Sequence, residues 1–142
     1  MRTVNLVLLI LVSTAAVARA ELIVVDVRPA ANTRDAGRYL QLVEGAAMEP
    51  FFDTGHIVFD APAQQAEAFG ASVVLVVLLE ISEEAGVVVP TAVTYSLSLV
   101  GNDDLRYTGR VQAEGDEVSP DEQSVRLGRS AAEAALAEWN GR

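Results

Sequence analysis

The chain holds a single histidine, His56, within Asp53-Thr54-Gly55-His56-Ile57-Val58-Phe59-Asp60, so a carboxylate lies three residues before it and another four residues after it. An imidazole oriented by a carboxylate and set beside a serine is the equipment of acyl transfer and hydrolysis. One reading of the chain is therefore a small hydrolase using His56 with Asp53 or Asp60. Against it, no G-x-S-x-G elbow is present, and Ser72, Ser82, Ser96, Ser98, Ser119, Ser124 and Ser130 lack any nucleophile context. A zinc site would need further histidines or cysteines; there are none.

Two carboxylate pairs, Glu83-Glu84 and Asp103-Asp104, fall at expected hairpin tips, where water surrounds both groups and nothing drives their proton affinities apart. Gly101-Asn102-Asp103-Asp104 lacks the downstream bidentate glutamate of a calcium loop. Gly70 and Gly86 begin neither a G-x-G-x-x-G nor a P-loop pattern. The sequence thus assigns no catalytic residue, no cofactor and no metal, and the chain reads as a non-enzyme.

A better candidate is one wet strand face. Arg106, Thr108 and Arg110 alternate along one segment, and Thr94, Ser96 and Ser98 alternate along the segment before it. Guanidinium groups with hydroxyls between them suit a carboxylate-bearing partner, a small anionic ligand or a glycan. All ten basic residues are arginine, which a GC-rich coding bias also produces.

The elements that must position these groups follow from hydrophobic periodicity. Leu22–Val27 and Val73–Leu79 are apolar on both faces, as central covered strands are. Residues 33–50 carry Ala36, Tyr39, Leu40, Val43, Ala46 and Ala47 at helical spacing, with Asn32 or Thr33 as cap and Pro50 as terminator. Ile57–Phe59 is a short strand, and 62–69 a short helix between Pro62 and Gly70. Val87–Val100 and Leu105–Ala113 alternate, each with one wet face, and Pro90 requires a bulge or an unpaired side. Ser119-Pro120-Asp121-Glu122 opens a C-terminal helix whose stripe includes Val125, Ala132, Leu136 and Trp139. Gly128 in mid-helix costs about 1 kcal/mol against alanine and is expected to mark a close crossing over the sheet. The predicted fold is α/β (α+β): a mixed five-stranded sheet in the order β-α-β-α-β-β-β-α, with three helices in a two- or three-layer sandwich. If every helix lies on one face, apolar groups of the first and third strands form a partner patch on the other.

Residues 1–20 carry Arg2, an apolar stretch from Leu6 to Ala18, and Ala18-Arg19-Ala20, the plan of a secretory signal peptide cleaved after Ala20. The stretch falls short of the roughly 20 apolar residues of a spanning helix. No cysteine follows it to take a lipid, so no stable membrane anchor is expected after cleavage. Residues 21–142 form a single α/β domain, periplasmic or secreted. Cleavage removes Arg2 and Arg19, leaving eight arginines against twenty acids, a net charge of −12 that repels nucleic acid.

Ala66-x-x-Phe69-Gly70-Ala71-Ser72-Val73-Val74-Leu75-Val76, followed by two long strands and Tyr107-Thr108-Gly109-Arg110-Val111, resembles the small periplasmic α/β domains of envelope assembly lipoproteins. These are the penicillin-binding-protein activator and curli-secretion lipoproteins and the amino-terminal domain of the Tol translocation protein. The resemblance spans residues 60–112. Ser72 stands where those domains carry an acid, and the lipid-bearing cysteine is missing. It implies a non-catalytic module that binds an envelope protein or itself.

Overall fold

The computed structural model describes residues 20–31, 36–115 and 117–141. The signal segment and the Asn32 or Thr33 cap lie outside the described residues. Five strands form one sheet: β1 (Leu22–Pro29), β2 (Ile57–Asp60), β3 (Val73–Glu84), β4 (Val87–Leu99) and β5 (Asn102–Gln112). Their spatial order is β2-β1-β3-β4-β5. β1 pairs in parallel with β2 and β3, while β3, β4 and β5 form an antiparallel meander.

Among the described residues there are two helices, α1 (Gly37–Asp53) and α2 (Pro120–Asn140), not the three expected. The segment expected as a helix over 62–69 is a 3-10 turn at Ala63–Gln65 followed by further turns. Its backbone bonds are mostly of the tight i to i+3 kind, Gln65 N–H to Pro62 at 2.9 Å and Ala66 N–H to Ala63 at 3.1 Å. Only Ala66 of this stretch reaches the core, and eight residues with one small anchor cannot offset helix nucleation. Gly70, at φ +74°, then turns the chain into β3.

Helix α1 also departs from expectation, running through Pro50 to Asp53. Phe51 is fully buried, and burying a phenylalanine is worth about 1.5–3 kcal/mol, enough to hold the last turn in place. The Thr54 hydroxyl donates toward the Pro50 and Phe51 carbonyls, each at 3.1 Å, and satisfies that end. Helix α2 starts as its sequence dictates: Ser119 Oγ accepts from Glu122 N–H at 3.2 Å, and Pro120 occupies the first turn.

Both helices cover the same face. Val43, Ala47 and Phe51 of α1 and Leu127, Ala131, Ala135 and Trp139 of α2 meet the odd-numbered residues of the sheet, including Ile23, Leu75, Val77, Val93 and Leu97. Val125 and Leu136 lie at the margin of that stripe. The second face is covered only where Ala66 and Ala71 pack on Val24 and Val74. The uncovered remainder is therefore the β4–β5 half, not the β1–β3 strip.

Pro90 sits beside a bulge. Glu80 pairs with Ala92 and Ile81 with Pro90, so Thr91 is the extra residue. The bulge reverses the alternation expected across it, since Pro90 now faces the same way as Val93. The Thr91 hydroxyl donates to Glu80 C=O at 3.1 Å. Past Leu79 and Ala92 the neighbours β1 and β5 have ended, and β3 and β4 continue as a two-stranded ribbon. Ala85 (φ +51°) and Gly86 (φ +79°) form its tip.

Gly128 faces α1, not the sheet. A Cβ there would overlap the Val43 carbonyl oxygen and lie 3.0 Å from Val43 Cα, so the two backbones touch. Gly128→Ala should gain helix propensity yet lose net stability, by roughly 1–3 kcal/mol, because backbone cannot yield as a side-chain tip can. Urea unfolding of the two proteins checks this.

Candidate functional site

The β4–β5 register sets Thr94 opposite Arg110, Ser96 opposite Thr108 and Ser98 opposite Arg106. All six side chains singled out from the sequence therefore share the second face. They are not equivalent. Arg110 is bound by Glu80 of β3, with Nε to Oε2 at 2.9 Å and Nη2 to Oε1 at 3.3 Å, across Ala92. That bidentate contact raises the arginine's already high proton affinity and occupies its donors.

Arg28, Arg38, Arg126 and Arg129 are likewise ion-paired, with Asp26, Asp121, Glu122 and Glu49. Arg106 makes no ion pair among the described residues, and it is exposed. It stands at the end of a groove of about 450 Å³ between the 3-10 segment and the sheet. Val74 and Val76 contribute the apolar side, Ser96 and Ser98 the hydroxyls, and Gln64 and Glu67 the far wall.

A buried carboxylate holds that wall in place. Asp26, in the middle of β1, accepts from Ala63 N–H at 2.8 Å and from Arg28 Nε at 2.8 Å, and Arg28 reaches on to Gln64 Oε1 at 3.2 Å. The sequence placed Asp26 inside an apolar run, which is the signal that it has a partner; the partner itself, 37 residues away, has none.

His56 does something else. Its Nδ1 accepts the Glu21 backbone N–H at 3.1 Å, and its ring lies 5.4 Å from that of Trp139. Its hydrogen-bond partner is thus the Glu21 backbone and not Asp53 or Asp60. The histidine ties the start of β1 to the last helix. Among the described residues no cluster of three or more His, Asp or Glu could hold a metal ion. Glu83 and Glu84 are exposed, and Asp103-Asp104 belongs to β5, not to the hairpin tip.

Gly109 has a local task. A side chain there would meet the Tyr95 ring, with Tyr95 Cε1 2.7 Å from an added Cβ. Tyr95 thus lies across β5 and donates its hydroxyl to Glu138 Oε1 at 2.9 Å. Burial, then that carboxylate, pushes the phenol up to about 12.

No protein-family model matches the chain, and no curated protein does. Among solved structures it is similar to PelC from Paraburkholderia phytofirmans, a dodecamer, at 21% identity and a TM-score of 0.57, covering 83% of this chain and 91% of that one. A PelC variant dodecamer gives 22% identity, a TM-score of 0.55 and coverages of 80% and 87%. What is shared is the fold. Lipoprotein GNA1162 from Neisseria meningitidis matches at 18% identity and a TM-score of 0.45, over 87% of this chain and 100% of that one. The shared fold is that of PelC, and it does not single out the penicillin-binding-protein-activator, curli-secretion or Tol domains.

Glu44 of α1 faces Asp60 at the end of β2, near Asp26. Desolvation, then the hydrogen bond and charge of Asp60, raise Glu44 from 4.5 to about 7. The unfolded chain ionises this group at lower pH than the folded one, so its contribution is intact below about 4.5 and is lost as pH rises through 7. Glu44→Gln should remove that loss, worth roughly 1–2 kcal/mol after discounting for solvent screening. Urea unfolding at pH 5 and pH 8 should show a smaller difference in the variant; an unchanged difference would refute the assignment.

Proposed function

We propose that the chain is the precursor of an exported, non-enzymatic module of the bacterial envelope that acts by binding protein, first of all its own copies. The observation that carries this reading is the one-sided packing. With α1 and α2 on one face, both edge strands and the β4–β5 half of the other face are left without cover. The fold shared with PelC supports it, since PelC assembles as a dodecamer. Another envelope protein is the alternative occupant of the same surfaces.

Export rests on the signal segment at 1–20, with residues 21–142 as a single mature domain, periplasmic or secreted. No helix of the described residues is long and apolar enough to cross a membrane. Nucleic acid is disfavoured by the −12 charge of the mature chain.

A second reading is favoured by Arg106, which has no ion-pair partner among the described residues. In it the groove takes a small anionic ligand or glycan through Arg106, Ser96 and Ser98, with Thr94, Thr108 and the Glu80-bound Arg110 at its margin.

Two measurements address the main reading. N-terminal sequencing of the exported product should begin at Glu21; a product beginning at Met1 would refute cleavage. Sedimentation velocity of the mature protein over a wide concentration range should reveal species heavier than one chain, whereas a lone monomer throughout would remove self-association.

A further inference from the structure

The sheet is open at two edges of unequal character. Among the described residues β2, four residues long, pairs only with β1, and β5, eleven residues long, pairs only with β4. Each edge leaves a row of backbone donors and acceptors available to another strand. Following the pairings across the sheet, β2, β1, β3 and β5 run in one direction and β4 in the other. A second copy shifted along the sheet without inversion would therefore bring its β2 parallel to β5, with second face beside second face.

The side chains on those edges are complementary. On β2, Ile57 and Phe59 are 52% and 44% exposed on the second face, and Phe69, 49% exposed, stacks on Phe59 at 6.1 Å. On β5 the second face presents Arg106 and Arg110. An aromatic pair with no cover and an arginine with no ion pair among the described residues are each other's natural partners. The guanidinium stacks on the ring face while its stem packs on apolar surface.

Charge and strand length decide between the two symmetries. Two β5 edges meeting each other would set arginines against arginines, and two β2 edges would join strands of only four residues and leave the β5 arginines without a partner. Joining β5 to β2 avoids both. Resting on the self-association reading above, we propose that copies of this chain assemble head to tail, the β5 edge of one copy receiving the β2 edge of the next, with Arg106 seated against Phe59 and Phe69. Such a heterologous contact propagates: it closes into a ring where the rotation permits and otherwise forms an open filament.

Two single variants test it in the full mature chain. Arg106→Glu blocks the β5 edge and leaves β2 intact, whereas Phe59→Glu blocks the β2 edge and leaves β5 intact. Each should weaken self-association about tenfold or more and sediment as a monomer alone. Mixed in equal amounts, the two should form a 1:1 dimer and nothing larger, because one productive junction remains. Variants that assemble as the wild type does would place the interface elsewhere, and a mixture that stays monomeric would refute head-to-tail joining. Both outcomes would leave self-association itself standing, whereas a monomeric wild type would remove that reading too. Thermal unfolding confirms that each variant folds, and Phe69→Glu or Arg106→Asp replaces one that does not.

Discussion

The contact between Gly128 and the backbone of Val43 sets the terms for everything above the sheet. Because the two helices meet without an intervening side chain, both fit over the same face, and their small residues, Ala47, Ala131, Ala132 and Ala135, fill the space between larger groups from the strands. Exposed pairs such as Arg129 with Glu49, at 2.8 Å, then align the helices at little energetic effect. The asymmetry of the molecule follows. No helix remains for the other face, and that face must be closed, as far as it is closed, by a segment too short to be a helix.

That cover depends on electrostatics where the helical side depends on packing. Asp26 is a carboxylate in a strand otherwise apolar on both sides, and it holds the 3-10 segment through a backbone N–H and through Arg28. A buried carboxylate needs such donors, because leaving it without them costs several kcal/mol. The segment in turn forms one wall of the groove, so the groove's shape rests on one side chain of β1.

The alternation of strands and helices, the antiparallel meander and the start of α2 were all legible in the sequence, since each depends on local spacing and local turn chemistry. Residues 62–69 were not, because helix-like punctuation at Pro62 and Gly70 says nothing of whether the residues between them find a surface to bury. Pro50 misled for the converse reason: its own preference ended the helix, and the burial of Phe51 overrode it. The six-residue face was visible as alternation, yet the difference between Arg106 and Arg110 was not. It depends on Glu80, thirty residues earlier, lying diagonally across β4.

The bulge at Thr91 separates two mechanical regimes in one hairpin. Below it, β3 and β4 are flanked by other strands; above it, they pair only with each other, and Tyr39 reaches the ribbon from α1 through its hydroxyl to Val88 C=O at 3.3 Å. A bulge at the root of a free ribbon concentrates twist at one point. The ribbon therefore leaves the plane of the sheet at Thr91, whose carbonyl accepts the Ala113 N–H at 2.8 Å, so the added twist is fixed at its root while the packed sheet beneath keeps its register.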